Sequence, residues 1–253
     1  MKAMVLAAGL GTRLRPLSND RPKALVTVGG RTMLEIVLTR LRRFGVDEVI
    51  VNTHHFSEMI REYLKTHSNF GMRIEISHED ELLDTGGGLK KAAWFFLESG
   101  GPGRSGDEPL ILHNVDVVST IDLGQMVQFH TDQGALATLA VQDRETKRYL
   151  LFDEKELLCG RRAGREGMLE LVCTASAANA LAFCGIHILS PRIFAKITEV
   201  GAFSIIDAYL HLAAGGEKIA AFRADAYQWR DLGRPEAVAE TAQDIERGVF
   251  TAG

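Results

Sequence analysis

Short apolar runs alternate with amphipathic segments over the first half of the chain. Uninterrupted apolar runs are typical of strands buried on both faces, and apolar residues at helical spacing indicate helices packed on a core. The predicted strands are 4–8, 48–52, 72–77 and 110–112, and the predicted helices are 32–44, 57–65 with Ser57 as the N-cap, and 88–97. This alternation predicts a parallel sheet with helices on both faces.

The pattern changes after residue 134, where apolar runs follow one another with only short connections. Strands are predicted at 135–142, 149–153, 168–172, 181–188, 218–222 and 227–230, with helices capped by Ser190 and Ser204 and a last helix over 235–247. Short connections favour antiparallel pairing, because parallel strands need a long crossover. We therefore expect an α/β fold with a mostly parallel central sheet and an added antiparallel part. No repeat or convincing boundary divides the sequence, so a single domain over residues 1–253 is predicted.

The composition is that of an ordinary globular protein, with 253 residues of which 46% are hydrophobic and 25% charged. A net charge of −4 gives no reason to expect nucleic acid as a partner. No segment approaches the length of a membrane span, so no membrane partner is expected. Cys159, Cys173 and Cys184 are odd in number and lack metal-type spacing, which indicates reduced thiols in a cytoplasmic protein.

A glycine-containing loop, Gly9-Leu10-Gly11-Thr12-Arg13, follows the first predicted strand. Glycine has no Cβ atom, so backbone N–H groups in such a loop can approach an anionic oxygen closely. Arg13 adds a planar cation suited to phosphate oxygens, and Lys23 adds a second cation directly after Pro22. The spacing matches neither the P-loop nor the dinucleotide fingerprint. The residues alone thus predict a different kind of phosphate-binding loop.

Two aspartates follow predicted strands far apart in the sequence. Asp116 comes at the end of the apolar segment 110–116, and Asp231 follows a strand and precedes a helix opened by Pro235. Carboxylates at the carboxyl ends of strands can hold Mg²⁺ through oxygen ligands. The alternative for Asp116 is a cap on the next turn. The two aspartates could share one metal ion.

Two further segments are candidates for ligand contacts. Asp84-Thr85-Gly86-Gly87-Gly88 precedes a predicted helix, where glycines would offer backbone donors and room for a flat base; the alternative is a plain helix start. Arg161-Arg162-Ala163-Gly164-Arg165 is a basic run that suits either a solvated hairpin tip or a lid over a bound sugar.

Taken together, these segments resemble the signature of sugar-1-phosphate nucleotidyltransferases, which join a nucleoside triphosphate (NTP) to a sugar 1-phosphate and release pyrophosphate. The resemblance is carried by residues 9–13, Pro16-Leu17, 22–25 with Val28, and the Trp-x-Asp-x-Gly-x-Pro-Glu segment around Asp231. Residues 84–88 are especially similar to N-acetylmuramate-1-phosphate uridylyltransferases and some mannose-1-phosphate guanylyltransferases. The resemblance covers essentially the whole chain and is weakest over 143–182.

The resemblance implies a Rossmann-like three-layer nucleotidyltransferase fold, with a nucleotide-binding half at 1–134 and a sugar-phosphate-binding half at 135–253. It implies Mg²⁺ as the cofactor, with Arg13 and Lys23 as the catalytic residues. The site residues it implies are Leu6, Ala8, Gly9, Gly11, Thr12, Arg13, Asp84, Thr85, Gly86, Gly87 and Asn114 for the nucleotide, Lys23 and Gly185 for the sugar phosphate, and Asp116 and Asp231 for the metal. The chain lacks the hexapeptide-repeat extension of some relatives, so no C-terminal β-helix domain is expected.

The chain departs from the family at Val115, where glycine is usual before the first metal-binding aspartate. Alternation along a strand predicts that Asn114 and Asp116 share one face and that Val115 points into apolar packing. We expect an active enzyme that uses UTP or GTP and a sugar 1-phosphate, as a monomer or small homo-oligomer. The alternatives are a phosphocholine-type cytidylyltransferase and a non-catalytic regulatory homologue that binds nucleotide sugars.

Overall fold

A computed structural model of the protein describes residues 1–98, 108–164 and 167–250. Residues 99–107, for which the sequence indicates a flexible surface loop rich in glycine, and Arg165 of the basic run lie outside the described residues. The chain forms two compact units, the first made of Met1–Leu83, Leu112–Ile121 and Tyr227–Gly253, and the second of Asp84–Ile111 and Asp122–Ala226. The single domain and its halves at 1–134 and 135–253 stay predictions.

The predicted elements are largely present, although their bounds shift by a few residues. In chain order the strands and α-helices are β1 (Lys2–Leu6), β2 (Thr27–Val28), β3 (Arg31–Thr32), α1 (Met33–Arg43), β4 (Glu48–Thr53), α2 (Ser57–Thr66), β5 (Arg73–His78), α3 (Asp84–Lys91), α4 (Ala93–Leu97), β6 (Leu110–Asn114), β7 (Val117–Ser119), α5 (Leu123–Gln133), β8 (Ala137–Gln142), β9 (Arg148–Phe152), β10 (Leu158–Ala163), β11 (Leu169–Leu171), β12 (Asn179–Leu189), α6 (Ile205–Ala214), β13 (Ile219–Arg223), β14 (Trp229–Asp231) and α7 (Pro235–Glu246).

The first unit contains β1, β4, β5 and the part of β6 from Leu112 onward, in the order β6, β1, β4, β5, and both β1–β4 and β4–β5 are parallel. The centre of β1 is fully buried, as its apolar run predicts. Thr32 caps the start of helix α1, and its hydroxyl accepts a hydrogen bond from the Glu35 N–H at 3.1 Å. Strands β1 and β6 are neighbours, and the Val115 N–H directly after β6 donates to the carbonyl oxygen of Leu6 at the end of β1. The phosphate loop and the segment carrying Asp116 therefore begin side by side. The predicted parallel part of the sheet is confirmed.

The second unit contains the antiparallel part of the protein. Strands β11, β10, β9 and β12 lie side by side in antiparallel pairs, β12 pairs with β8 in the same manner, and β8 pairs with β13 in parallel. Strand β10 and helix α5 were not predicted. Helix α5 buries Leu123, Met126 and His130. Because one of these buried positions is a histidine, the apolar periodicity that would predict the helix is weak in the sequence. The added antiparallel part is confirmed.

Two helix starts differ from the sequence prediction. Ser57 is the first residue of α2 and not its cap; Phe56 occupies the cap position with φ 58°, and the Ser57 hydroxyl shares a hydrogen bond with that of Thr53 at 2.8 Å. The helix predicted at 88–97 begins earlier, at Asp84, and is interrupted at Ala92. The predicted caps Ser190 and Ser204 are both confirmed.

Among the described residues, no helix combines the length and the apolar character needed to cross a membrane. Cys159 and Cys184 are buried free thiols, and Cys173 is a half-buried one.

Candidate active site

The phosphate loop owes its shape to Gly11. This residue has φ +65°, a left-handed conformation that favours glycine, and it opens a 3-10 turn over Thr12–Leu14. Its carbonyl oxygen accepts hydrogen bonds from the Ser18 hydroxyl at 2.7 Å and from the Leu14 N–H at 2.9 Å. Gly9, Thr12 and Arg13 are exposed along this loop, as a phosphate-binding role requires.

A buried polar network anchors the start of the loop. The Ala7 N–H donates to Asn52 Oδ1 at 2.7 Å, and Asn52 Nδ2 donates to Glu79 Oε1 at 2.7 Å. Glu79 is only 1% exposed, and its second oxygen accepts from the Leu83 N–H at 3.0 Å. Leu6 and Ala8, on either side of Ala7, are buried. Sequence reasoning missed Asn52 and Glu79, although both lie at the carboxyl ends of strands, where the same rule selected Asp116.

Lys23 reaches from the following turn over the phosphate loop to Asp116. Pro22, with φ −67°, leads into the 3-10 turn Lys23–Leu25. Lys23 Nζ donates to Asp116 Oδ2 at 3.0 Å. A Cβ atom added at Gly9 would lie 3.3 Å from both Cε and Nζ of Lys23. The ammonium group therefore lies directly against the loop and the carboxylate.

Asp116 is a buried carboxylate that stays ionised. Its residue is 8% exposed, and burial by itself raises the pKa of its carboxyl. The charge and hydrogen bond of Lys23, together with the charge of Arg13, act in the opposite direction and outweigh burial, so the pKa lies below its ordinary value. The site therefore holds a negative charge at neutral pH.

Strands β7 and β14 bring the second aspartate to the first. They form an antiparallel ribbon in which Asp231 lies opposite Val117. One residue further on, the Leu232 N–H donates to the carbonyl oxygen of Asp116 at 2.8 Å. Asp231 itself is exposed. Backbone pairing thus brings together the two segments that carry Asp116 and Asp231, which are far apart in the sequence.

Gly233 lets Arg13 approach the turn that carries Asp231. The Gly233 N–H donates to Asp231 Oδ1 at 2.7 Å. A Cβ atom added at Gly233 would lie 2.7 Å from Arg13 Nη2 and 2.8 Å from Asp231 Oδ1, which no real Cβ atom tolerates without movement. Sequence reasoning did not select Gly233, although it stands inside the motif around Asp231.

Val115 packs into the interior, as predicted. It is fully buried, and its N–H donates to the Leu6 carbonyl oxygen at 3.2 Å. Alternation along a strand, which we expected to bury Val115, is not the cause, because Val115 and Asp116 lie in a turn after β6 and not in the strand itself. Asn114, the last residue of β6, is half-buried. Val115 therefore does not obstruct the exposed side of the loop.

The donor set of this site fits a magnesium ion that shares its shell with phosphates. In residues 1–98, 108–164 and 167–250, no group of three or more His, Cys, Asp or Glu side chains is placed to hold a metal. Asp116 and Asp231 supply two hard carboxylate oxygens. Mg²⁺ is commonly bound by one or two carboxylates, with waters and substrate phosphates completing its shell.

The glycine segment of the second unit differs from its prediction. Gly86, Gly87 and Gly88 lie within α3 and not before it, and the N–H groups of Gly86 and Gly87 donate to the Phe203 carbonyl oxygen at 2.9 and 3.4 Å. A Cβ atom at Gly86 would lie 2.3 Å from a ring carbon of Phe203. The expectation that these N–H groups are open to a base is therefore wrong. What the glycines provide is close packing against Phe203.

Asp84 and Thr85 are also held by contacts within the second unit. Asp84 has φ 56° at the start of α3, and its Oδ1 accepts from the Thr85 N–H at 2.6 Å. The Thr85 hydroxyl accepts from the Ile205 N–H at 3.0 Å. These bonds join the beginning of α3 to the beginning of α6.

Arg161, Arg162 and Ala163 of the basic run line a cavity of the second unit. Arg161 and Arg162 lie within β10, so the expectation of a hairpin tip at these two residues is wrong. Arg161 donates to Glu170 Oε2 and to Asp207 Oδ1, each at 2.5 Å. The cavity, of about 570 Å³, has a partly apolar lining that includes Leu150, Phe183 and Ile206 beside these charged groups.

Gly185 lies in β12 at a break in the strand pairing. It has φ +73°, and the register against β8 shifts between Phe183 and His187. Such a bulge redirects the strand and is typical of positions beside binding sites. Phe183, two residues earlier, lines the cavity.

Comparison with known proteins agrees with the sequence motifs. Residues 2–248 match the family described as nucleotidyl transferase. The N-acetylmuramate α-1-phosphate uridylyltransferase of Caulobacter vibrioides is 33% identical over 243 residues, covering 93% of each chain. The mannose-1-phosphate guanylyltransferase of Mycobacterium tuberculosis is 28% identical over 252 residues; the match spans 98% of this chain but 65% of that longer protein.

Solved structures of low sequence identity share the fold. A putative glucose-1-phosphate thymidylyltransferase from Bacillus anthracis superposes with a TM-score of 0.77 at 18% identity, covering 99% of this chain and 97% of that one. The inositol-1-phosphate CTP transferase of T. maritima gives 0.72 at 16% identity, covering 99% and 98%. They confirm the fold class. From the sequence matches it follows that the chain belongs to the nucleotidyl transferase family, and within it to the sugar-1-phosphate nucleotidyltransferases.

Proposed function

We propose that this enzyme transfers a nucleoside monophosphate from UTP or GTP to a sugar 1-phosphate with the help of Mg²⁺, giving a nucleotide sugar and pyrophosphate. The observation that carries the proposal is the Lys23–Asp116 ion pair, held over the phosphate loop and joined through the β7–β14 ribbon to Asp231. It supports a site that holds both a divalent cation and a triphosphate. We also propose that the enzyme acts in the cytoplasm, as a monomer or small homo-oligomer.

The chemistry needs no nucleophile from the protein. A phosphate oxygen of the sugar 1-phosphate is already anionic at neutral pH and attacks the α-phosphorus of the NTP. A new P–O bond forms there, the bond to the bridging oxygen of the β-phosphate breaks, and its electron pair leaves with pyrophosphate. The protein has to bring two polyanions together and align them, which is the general logic of phosphoryl-type transfer.

Arg13 and Lys23 offset the charge that makes this approach unfavourable. Gly9, Thr12 and Arg13 are exposed, so the loop and the Arg13 guanidinium are accessible to triphosphate oxygens. Lys23 lies between that loop and Asp116 and suits the reacting phosphates. A magnesium ion held by Asp116 and Asp231 would act as a Lewis acid on phosphate oxygens.

The second unit supports a bulky acceptor. Its cavity of about 570 Å³ is lined by apolar side chains together with arginine and carboxylate side chains, which suits a sugar ring bearing substituents. The uridylyltransferase from Caulobacter vibrioides is named for N-acetylmuramate 1-phosphate and the Mycobacterium tuberculosis relative for mannose 1-phosphate. We propose an acceptor of this class, bound beside Gly185 and Arg161. For the base, Asp84, Thr85, Gly86 and Gly87 remain the proposed contacts, through shape rather than through the N–H groups that Phe203 engages.

A matrix of substrates tests the proposal. Purified enzyme is incubated with each of the four NTPs and a panel of sugar 1-phosphates, with Mg²⁺ or with EDTA, and pyrophosphate is measured. Pyrophosphate release that needs an NTP, a sugar 1-phosphate and Mg²⁺ together supports the proposal. Release only with CTP and phosphocholine would favour the cytidylyltransferase alternative. Binding of nucleotide sugars with no turnover of any pair would favour the regulatory alternative.

A further inference from the structure

The two proposed phosphate-binding cations lie close to the turns that carry the two proposed metal ligands. Lys23 Nζ lies 3.0 Å from Asp116 Oδ2. A Cβ atom added at Gly233 would lie 2.7 Å from Arg13 Nη2 and 2.8 Å from Asp231 Oδ1, so both atoms lie close to this turn. Lys23 is therefore ion-paired with Asp116, and the charge of Arg13 acts on the same carboxylate from beside the turn that carries Asp231.

We infer that, in the free enzyme, the positive charges of Lys23 and Arg13 substitute for the charge of the metal ion near the carboxylates. When nucleotide and metal bind together, these two side chains contact phosphate oxygens instead. The inference rests on the proposed function and adds an order of binding to it. A divalent cation that binds alone must displace Lys23 from Asp116 and enter against the positive charge of Arg13. A nucleotide triphosphate offers those groups new partners, so metal and nucleotide each strengthen the binding of the other.

The position of Lys23 makes this exchange of partners a short movement. Its Nζ lies over Gly9, whose missing side chain leaves room for it, and its Cβ lies 3.1 Å from the point where a Cβ atom of Gly11 would stand. The stem of the side chain is therefore held against the phosphate loop while the ammonium contacts Asp116. Rotation of the flexible side chain can redirect the charge to a phosphate bound on the loop.

Burial explains why the carboxylate needs a substitute cation. The side chains of Lys23 and Asp116 are 15% and 11% exposed. An ionised carboxylate buried without a partner is strongly unfavourable, so a paired cation is required whenever the metal is absent. The rival explanation is a purely structural ion pair. In that case removal of Lys23 would lower stability without improving the binding of metal.

Direct metal binding separates the two explanations. Binding of Mn²⁺, which reports on magnesium sites through its electron paramagnetic resonance signal, is titrated against the free enzyme without nucleotide. The variants are Lys23→Met and Arg13→Met, and Lys65→Met serves as the matched control because Lys65 is an exposed lysine on α2. The inference predicts that each of the first two variants binds Mn²⁺ about tenfold more tightly than wild type, equivalent to about 1.4 kcal/mol. Lys65→Met should bind like wild type.

The second arm adds α,β-methylene UTP or GTP, whose bond between the α- and β-phosphates cannot be cleaved in the transfer. Wild-type enzyme should then bind Mn²⁺ much more tightly than without the analogue, and this gain should shrink in Lys23→Met and Arg13→Met. Unchanged or weaker Mn²⁺ binding in both variants without nucleotide, each shown to be folded by circular dichroism, would overturn the inference. Because Arg13 is exposed, its variant should fold even if Lys23→Met does not.

The two arms keep this inference distinguishable from the proposed function. One outcome is that wild-type enzyme binds Mn²⁺ in the presence of the analogue while neither variant binds Mn²⁺ more tightly than wild type in its absence. In that case the inference about Lys23 and Arg13 is wrong, and the proposed metal ligands are still supported. If no form binds Mn²⁺ under either condition, both the inference and the proposed metal ligands are wrong, whatever the pyrophosphate assay gives.

Discussion

The Leu232 N–H donates to the carbonyl oxygen of Asp116 at 2.8 Å, and this bond extends the pairing of β14 with β7 to the edge of the phosphate loop. It makes Asp116 and Asp231 neighbours through the backbone, so their spacing does not depend on flexible side chains alone. Because a metal site needs ligands held at a fixed separation, the ribbon is the element that positions both carboxylates.

The first prediction concerns the two carboxylates. Asp116→Asn and Asp231→Asn should each lower kcat by orders of magnitude in the presence of Mg²⁺, since a neutral amide is a poor ligand for a hard cation. Circular dichroism should show the fold intact. Asp132→Asn, on the exposed face of α5, is the matched control and should keep wild-type kcat. Near-normal turnover in Asp116→Asn would remove that residue from the metal site.

The second prediction separates the roles of the two cations. Arg13→Ala should mainly raise the KM for NTP, because Arg13 belongs to the triphosphate loop. Lys23→Ala should lower kcat more than it raises the KM for NTP, because its contact strengthens in the transition state. Steady-state kinetics with saturating sugar 1-phosphate measure both effects. The opposite pattern would mean that the two roles are exchanged.

The third prediction concerns the glycine that admits Arg13. Gly233→Ala should lower kcat/KM about tenfold or more, because the new methyl group would meet Arg13 Nη2 at 2.7 Å and Asp231 Oδ1 at 2.8 Å. The midpoint of thermal unfolding should change little, since Arg13 is exposed and can move away. Gly124→Ala, in α5, is the control and should leave kcat/KM unchanged. Full activity in Gly233→Ala would show that Arg13 need not approach this turn.

The fourth prediction concerns Val115, where the chain departs from the family. Val115→Gly should lower the free energy of unfolding by about 1–3 kcal/mol through lost apolar burial and added backbone freedom. Turnover should gain little, because Val115 is fully buried. Denaturant unfolding and kcat are measured on the same preparation. A gain in kcat of about tenfold, or about 1.4 kcal/mol of barrier, without destabilisation would mean that the valine obstructs the site.

Much of the first unit could be predicted from local sequence. The uniform apolar run of β1 and the glycines after it specify a buried strand and a phosphate loop, because both depend on adjacent residues. Asp116 and Asp231 could be selected by their places after strands. Their union by the β7–β14 ribbon could not be derived from residue patterns, because it depends on a pairing between distant segments.

The errors arise where distant residues take over local groups. The N–H groups of Gly86 and Gly87 donate to the carbonyl oxygen of Phe203, more than a hundred positions later. These two backbone donors, which the sequence suggests are free, are therefore already hydrogen-bonded. Arg161 would suit a solvated hairpin tip, but it lies within β10, where it contacts Glu170 on the paired strand β11 and Asp207, 46 positions later. Neither partner can be identified from periodicity or spacing.

The most direct test of the proposed reaction is the identity of its products by ³¹P nuclear magnetic resonance. Wild-type enzyme with Mg²⁺, a sugar 1-phosphate and UTP or GTP should convert the triphosphate signals into those of pyrophosphate and a diphosphate diester, the nucleotide sugar, in equal amounts. Asp116→Asn under the same conditions should leave the triphosphate intact. Release of orthophosphate without a diester, or equal product formation by Asp116→Asn, would contradict nucleotidyl transfer at this site.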